Sequence, residues 1–535
     1  IIDGKYRQVM LSLREMNTES LPNRSWVNER LTFTHGYGLT LGPVNEVTTV
    51  GQPVLFVKDL PPVTTVDFKV DEPSIYYGEK SSDYVLVKTQ QPEFHYPRGE
   101  DNVTNTYTGT GGVEVGGFLR RLLFAIRFSA VNIVVTNQLT FESRIMFHRA
   151  IGERVRTIAP FLKYDSDPYS VVADGRLFWI QDAYTSSTNY PYATPFGANG
   201  INYIRNSVKV VIDAYHGSTA FYLAEPTDPI ALTISRIFPG LLKPMSDMPE
   251  ALRGHMRYPE EIFRVQSAAF ATFHMTNPQV FYNKEDQWQV PVIDDAGAAT
   301  PMQPYFTIMR LPGEKEPEFI QMLPFTPRLK DNLAAWMVAR SDGEHYGRLL
   351  VFQFPKQKVV FGPRQIVARI NQDQIISPQI TLWNQQGSQV IQGTLLVIPI
   401  EESLLYVRPL YLRSSGGRIP ELKRVIVAYQ DQIVMEETLN KGLVKIFGRT
   451  VAAALAPDLR DAGPADLLAP PGAPIGTGVP SAVTPLSPDL ARLAEQANDH
   501  YERATAAQRD GNWALYGEEM KKLGEVLAQM DKIRR

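Results

Sequence analysis

Val208-Lys209-Val210-Val211-Ile212-Asp213-Ala214, the turn His216-Gly217-Ser218 and the return Ala220-Phe221-Tyr222-Leu223 make the passage on which the fold turns. β-Branched and aromatic side chains suit a pleated, half-buried surface, and a glycine break between two such runs is a hairpin signal. Leu177-Phe178-Trp179-Ile180 repeats the composition upstream, so Asp174 to Ala224 is expected to be strand and turn.

Working outward, the pattern changes in both directions. Residues 1–115 read as short strands and loops, with Val54-Leu55-Phe56-Val57 and Tyr84-Val85-Leu86-Val87 bounded by Gly, Pro and Asp. In 116–160, Phe118, Leu119, Leu122, Leu123, Ile126 and Val131 recur at helical spacing, and a second amphipathic stretch, Gln138 to Ile158, carries Arg144, Arg149, Arg154 and Arg156. This predicts a helical hairpin with solvated basic faces; a basic amphipathic helix also suits anionic lipid, but solvation is the plainer reading. In 161–455, a helix is expected over Met256–Phe273 with Pro259 in its first turn, and another over Met435–Leu455. Strand pairs are expected for Leu349–Phe352 with Val359–Phe361 and for Val390–Ile400 with Leu404–Leu412. The class is therefore α+β, multi-lobed, with mixed strands and helices rather than a regular βαβ array. Residues 456–487 form a Pro/Ala/Gly-rich linker. Residues 488–535 predict a C-terminal helical hairpin with a Trp513, Tyr516, Met520, Leu523, Leu527, Met530 seam.

The 535 residues exceed one ordinary core, and 44% hydrophobic with 21% charged residues excludes disorder for most of the length. A net charge of -3 supplies no footprint for nucleic acid, which is not expected as a partner. With no cysteine, disulfides, thiolate metal sites and Cys nucleophiles are all excluded. The chain begins at Ile1 without a leader pattern, so a piece of a longer protein is expected. The best membrane candidate, Phe118 to Val135, is interrupted by Arg120, Arg121 and Arg127, so any membrane spans would lie upstream of Ile1.

Walker, HExxH, GxSxG and EF-hand patterns do not occur. Gly109-Thr110-Gly111-Gly112 with Gly116-Gly117 matches no phosphate fingerprint and reads as a tight turn into a helix. Asp165 and Asp167, with Asp182 nearby and a Thr/Ser/Asn/Tyr-rich segment following, offer oxygens for a hard cation such as Ca²⁺, although Asx turns use the same residues. Ca²⁺ is the one cofactor candidate. Among the histidines, His35 sits in Thr34-His35-Gly36-Tyr37-Gly38, where glycine permits close backbone approach. His255 and His274 flank the predicted helix too far apart for paired ligation on one face. Aromatic blocks at Tyr184–Tyr222 and Phe273–Trp288, the latter with Glu285 and Asp286, have the makings of a sugar groove, though such rings more commonly pack cores.

The same blocks carry a family likeness. Met248-Pro249, Leu252, His255, Arg257-Tyr258-Pro259, Gln266, His274-Met275, Phe281-Tyr282-Asn283, Glu285-Asp286 and Trp288 resemble the signature stretch of uncharacterised protein family 0182, a UPF series of large bacterial membrane proteins. Thr34 to Gly38, Ile75 to Glu79, Asp165 to Tyr169, Asn202 to Lys209, Gly362 to Gln365 and Leu405 to Leu412 resemble it in order. The likeness covers about residues 1 to 455 and extends more loosely to the terminal helices. It implies several transmembrane helices before Ile1 and a large water-exposed part on the extracytoplasmic side of the cell membrane, which this chain would be. It implies no activity and no ligand residues. The expectation is a non-enzymatic binding or assembly body at the envelope, as a homo-oligomer or with envelope partners. The alternative is a hydrolase of envelope glycans using carboxylates among Asp165, Asp167, Asp182, Glu285 and Asp286.

Overall fold

The computed structural model describes residues 2–448 apart from 3, 49–50, 82–83, 296–297, 358–359, 386, 401–402, 415 and 418, and isolated positions from 496 to 526. Two compact units divide the chain, Ile1–Pro464 and Ala465–Arg535. The linker 456–487 and the six seam residues of the expected C-terminal hairpin lie outside the described residues.

The 208–223 passage folds as its composition dictates. Strand Tyr203–Asp213 pairs antiparallel with Thr219–Leu223 from Val208↔Leu223 to Ile212↔Thr219, and on its other edge with the 12-residue strand Arg176–Ser187. Lys163–Tyr164 and Tyr169–Ala173 extend the sheet on one side and Leu242–Pro244 on the other. Both faces are buried: Trp179, Ala183, Val208, Val210 and Ile212 enter one core, and Ile180, Val211 and Tyr222 enter a second with Met248 and Leu252. The turn is held by Asp213, whose Oδ1 accepts from the backbone N–H groups of Tyr215 and His216 at 2.8 Å each, while Arg176 donates to its Oδ2 at 2.7 Å. Gly217 adopts φ +69°, and a Cβ there would lie 2.3 Å from the Tyr77 ring.

Two five-stranded sheets, both antiparallel, are the next largest parts of the α+β fold, beside smaller sheets that include the four-stranded one of Val9–Leu13, Leu39–Pro43, Val57–Lys58 and Val63–Thr64. One runs Glu318–Pro327, Ala335–Arg340, Leu349–Gln353, with Tyr305–Met309 and Trp288–Gln289 also on Glu318–Pro327. The other is built on Ser403–Ser414, which pairs with Ser388–Gln392, Leu396–Ile400 and Glu421–Tyr429. Helices Glu260–Phe273 and Pro363–Gln372 supply Ile262, Phe263, Ile366, Val367 and Ile370 to one shared core with Phe325, Met337, Val397, Tyr406 and Ile426.

Four local expectations are corrected. The 116–160 hairpin is instead α1 (Phe118–Phe128), α2 (Asn132–Val135), a strand Arg144–Met146 and α3 (Ile151–Ile158). Ser129 closes α1 in the left-handed conformation. Ser143 Oγ then bonds the Lys88 carbonyl at 2.8 Å, and 144–146 pairs with Val85–Val87. Such Ser/Thr bonds compete with helix, and sheet pairing wins. The exposed face of α1 is apolar rather than basic, because Arg121 turns inward to the carbonyls of Val115 and Leu139. Pro259 is the extended N-cap of Glu260–Phe273 rather than part of its first turn. Leu349–Gln353 pairs with Ala335–Arg340, and Val360 and Phe361 are in no strand, while 359 lies outside the described residues. The last helix begins at Leu439 behind its Thr438 cap rather than at Met435, since Gln432–Glu436 pairs with Glu421–Tyr429, and the expected end of this helix, 449–455, lies outside the described residues. Among the described residues, no helix is long and apolar enough to cross a membrane.

Gly217→Ala tests the turn that joins the central strands. It combines a positive φ with a clash against the Tyr77 ring, so it should destabilise the chain by about 2 kcal/mol or more. A melting temperature equal to wild type by calorimetry would refute this account of the turn.

Candidate functional site

Two buried polar centres gather four of the titratable side chains singled out above, His35 in one and Asp165, Asp167 and Asp182 in the other. The first is built on the hairpin Glu93–Arg98 and Asp101–Asn105, whose register jumps from Phe94↔Thr104 to Tyr96↔Val103 and leaves His95 as the extra residue. A bulge re-aims its side chain, and His95 Nδ1 meets His35 Nε2 at 3.0 Å. His35 is fully buried, reached through a tight approach at Gly36, where a Cβ would lie 2.3 Å from the Arg14 carbonyl oxygen. Its Nδ1 lies 2.9 Å from Thr34 Oγ1 and 3.5 Å from Glu93 Oε2. Glu93, also buried, accepts from Thr34 Oγ1 at 2.6 Å, Tyr76 Oη at 2.8 Å and the Tyr107 N–H at 2.9 Å. Burial works to raise the Glu93 pKa, but the bonds from His35, Thr34 and Tyr107 outweigh it and hold the carboxyl below its usual range. Tyr76 stacks on His35 at 4.6 Å and Tyr37 lies 4.1 Å from the His95 ring. Arg149 ties the group to the chain by donating to the carbonyls of Tyr76 and Thr34. Chemically this is a carboxylate–imidazole–imidazole line from the interior to the half-buried His95, competent to relay a proton.

The second centre lies on the central sheet. Asp182 and Lys209 are direct cross-strand partners, both essentially without solvent exposure, and Lys209 Nζ donates to Asp182 Oδ1. Burial opposes the Lys209 charge, yet Asp182, with Tyr346 and Tyr169, overcomes it and holds the ammonium above its ordinary range. Asn206 Oδ1 accepts a second Lys209 bond at 3.2 Å, and the Tyr346 ring lies 5.2 Å from Nζ. Asp165 Oδ1 accepts from the Asp167 N–H at 2.9 Å, an Asx turn, while its Oδ2 takes the Tyr184 hydroxyl and the Glu261 N–H. Burial pushes the Tyr169 and Tyr184 hydroxyls up, so both stay protonated; Tyr184 donates to Asp165, and Tyr169 accepts from the Arg257 N–H at 3.4 Å. Asp167 pairs with Arg257, whose guanidinium covers the Tyr169 ring at 4.1 Å.

Asp165, Asp167 and Asp182 therefore lie close in the fold but do not converge as a ligand set; each already has a cation or an N–H as partner. His255 is exposed beyond the short helix Glu250–Arg253. His274 stacks on Trp288 at 3.6 Å, with Nδ1 3.1 Å from the Phe270 carbonyl oxygen, and packs rather than ligates. Asp286 pairs with Lys356 at 2.8 Å and Glu285 accepts from Asn283 at 2.7 Å. In the Gly-rich turn, the Gly111 N–H goes to Tyr107 Oη at 2.7 Å and the Thr110 N–H to His216 Nδ1 at 3.3 Å, so two of its donors are already engaged.

Sequence reasoning missed Glu93, His95, Lys209 and Tyr346. The alternating Glu93 and His95 beside Tyr96 carried a signal, but the bulge that aims His95 does not show in composition. It also missed Glu314, Glu318 and His345, whose donor atoms lie within 4.8 Å of one another. There the buried Arg340 donates to Glu314 at 2.8 Å and to Glu318 at 2.6 Å, so a guanidinium already balances both carboxylates. A cavity of about 330 Å³ opens beside the hairpin turn, lined in part by Asp174, Asp213, Tyr222 and Lys243.

Burial and the neighbouring His35 lower the His95 pKa from 6.5 to about 4. The unfolded chain then binds more protons than the folded one between those values, so the stability from neutral His95 is complete above about 6.5 and lost as pH falls towards 4. His95→Gln should melt with a shallower pH dependence across that window. Parallel wild-type and variant profiles would contradict the assignment.

The comparisons with known proteins agree with one another. The model of an uncharacterised protein family, UPF0182, matches residues 1–383. The chain is 52% identical over 531 residues to a UPF0182 protein of Pelobacter propionicus, covering 99% of this chain and 56% of that protein. It is 51% identical to one of Geobacter sp. (strain M21), covering 99% and 57%, and 48% identical to one of Pelotomaculum thermopropionicum, covering 99% and 56%. The chain thus spans little more than half the length of these relatives. No solved structure matches. On this evidence the chain belongs to the uncharacterised protein family UPF0182.

Proposed function

We propose that this chain is the extracytoplasmic body of a membrane-tethered envelope protein, with a non-enzymatic binding or assembly role. The observation that carries the reading is a contrast between interior and surface. Inside, the charged centres are matched by their own partners: Lys209 by Asp182 and Asn206, Glu93 by Thr34, Tyr76 and Tyr107, Asp165 by Tyr184 and Glu261. Outside, α1 displays Phe118, Leu119, Leu123 and Ile126 at 57–69% exposure, an apolar surface of the kind that marks an interaction site. The glycan-hydrolase alternative would need two free carboxyls facing each other about 5–10 Å apart, one with a raised pKa. Its five candidate carboxylates instead hold Arg257, Lys209, Lys356, Asn283 and backbone N–H groups.

The lack of cysteine makes the placement directly measurable. Tyr282 is 84% exposed on a short helix, so Tyr282→Cys in the full-length protein gives a single reactive thiol on this part of the chain. A membrane-impermeant maleimide should label it in intact cells as fully as after permeabilisation. Labelling only after permeabilisation would refute the extracytoplasmic placement. Release of reducing ends from purified cell-wall glycan, lost on Asp182→Asn, would replace the binding role with the hydrolase.

A further inference from the structure

The outward face of α1 has an arrangement that the rest of the surface does not explain. At 100° per residue, Phe118, Leu119, Leu122, Leu123 and Ile126 fall within an arc of about 140°. Their exposures run from 38% at Leu122 to 69% at Phe118. The opposite side of the helix is already packed, with Ala125 buried and Phe124 and Phe128 against the Leu31, Leu86 and Ile145 cluster. The outer residues are therefore surplus to the core. Phe141, 89% exposed, adds to the same patch because its backbone passes against Gly116, where a Cβ would lie 2.3 Å from the Phe141 oxygen. In α2, Val131 at the N-cap and Val135 continue it at 68% and 69%.

Charge selects the occupant. Arg127 and Arg120 flank one edge of the arc, and α1 has no acidic residue. Between positions 113 and 149 stand five arginines, two glutamates and no lysine or aspartate. Arg120 lies 3.5 Å from Glu114, which Arg144 also engages at 3.1 Å, so one carboxylate serves two guanidiniums. A protruding aliphatic and aromatic ridge rimmed by arginine fits a fluid acyl layer beneath anionic headgroups, which conforms to convex side chains. No described helix is long enough to cross, so the contact lies in the plane of the surface. We propose that α1, with the Phe141 loop, seats this chain on an anionic phospholipid bilayer. The proposal rests on the envelope reading only for which bilayer is met.

The test is flotation of the 535-residue chain with vesicles of phosphatidylcholine and phosphatidylglycerol in equal parts, and with phosphatidylcholine alone. The wild type should float with the anionic vesicles and do so less at high salt. Leu119→Glu/Leu123→Glu should reduce the bound fraction roughly tenfold, and Arg120→Ser/Arg127→Ser should erase the preference for anionic lipid. Because Leu119 and Leu123 protrude, Leu119→Glu/Leu123→Glu should keep the wild-type melting temperature. Equal flotation of wild type and Leu119→Glu/Leu123→Glu overturns the proposal. So does absence of flotation, including the case where the wild type is a dimer that the same variant converts to monomer, which assigns the face to a second copy. Vesicle binding and maleimide labelling fail independently, so a misplaced compartment and a wrong lipid site are distinguishable.

Discussion

A salt bridge with almost no exposure, Asp182 with Lys209, sits in a sheet whose two faces are both covered by core. Taking two charges out of water costs several kcal/mol per ion, and their attraction repays it only when geometry and accessory hydrogen bonds are good. The sheet meets that condition through register. Asp182 is opposite Lys209 only if Ile180 faces Val211 and Trp179 faces Ile212. A slip of one residue would turn Lys209 into the opposite core. A slip of two would leave an uncompensated charge inside, the costliest kind of buried defect. The pair thus acts chiefly to exclude other registers.

That constraint reaches outward through aromatic rings and N–H groups. Tyr346, in the loop before strand Leu349–Gln353, lies over Lys209 and accepts from Asn206 at 3.1 Å. Asp165 receives the Glu261 N–H at the start of Glu260–Phe273, where a carboxylate also favours the helix dipole. Arg257 covers Tyr169 of the first sheet and Phe306 of the second. The acidic residues flagged as calcium ligands therefore serve to fasten the second sheet and its helix to the first. Their close spacing in sequence was a real signal, and in the fold each of these carboxylates is met by a cation or an N–H at that joint.

How much was legible follows from which signals are local. The hairpin at 208–223 and the mixed α+β class depend on neighbours within a few residues. The long-range items were hidden. Periodicity gave Gln138–Ile158 as helix because Arg144, Arg149 and Arg154 recur suitably, yet Arg144–Met146 is claimed by a strand 57–61 residues earlier and Arg149 by the carbonyls of Tyr76 and Thr34. His35 was chosen for its glycine neighbours, and Gly36 does permit the close approach; its partner His95 depends on a bulge that only the pairing with Asp101–Asn105 creates.

The two polar centres and the apolar ridge also divide the labour of the chain. A half-buried His95 tied through His35 to Glu93 can change its protonation without breaking a strand, because it is the unpaired residue of a bulge. Lys209 has no such freedom, since Asp182 holds it charged at the centre of a fixed register. The first centre is therefore the part of this interior that can take up a proton without disturbing a strand, whereas a proton taken up at the second would break the Asp182–Lys209 pair that marks its register. The ridge lies on α1, which meets the remainder of the fold through Phe124, Ala125, Phe128 and the inward bonds of Arg121. Its outer side chains make no contribution to that packing, so they are free to be selected for a partner alone. A contiguous exposed apolar surface that adds nothing to the core is the usual mark of an interaction site.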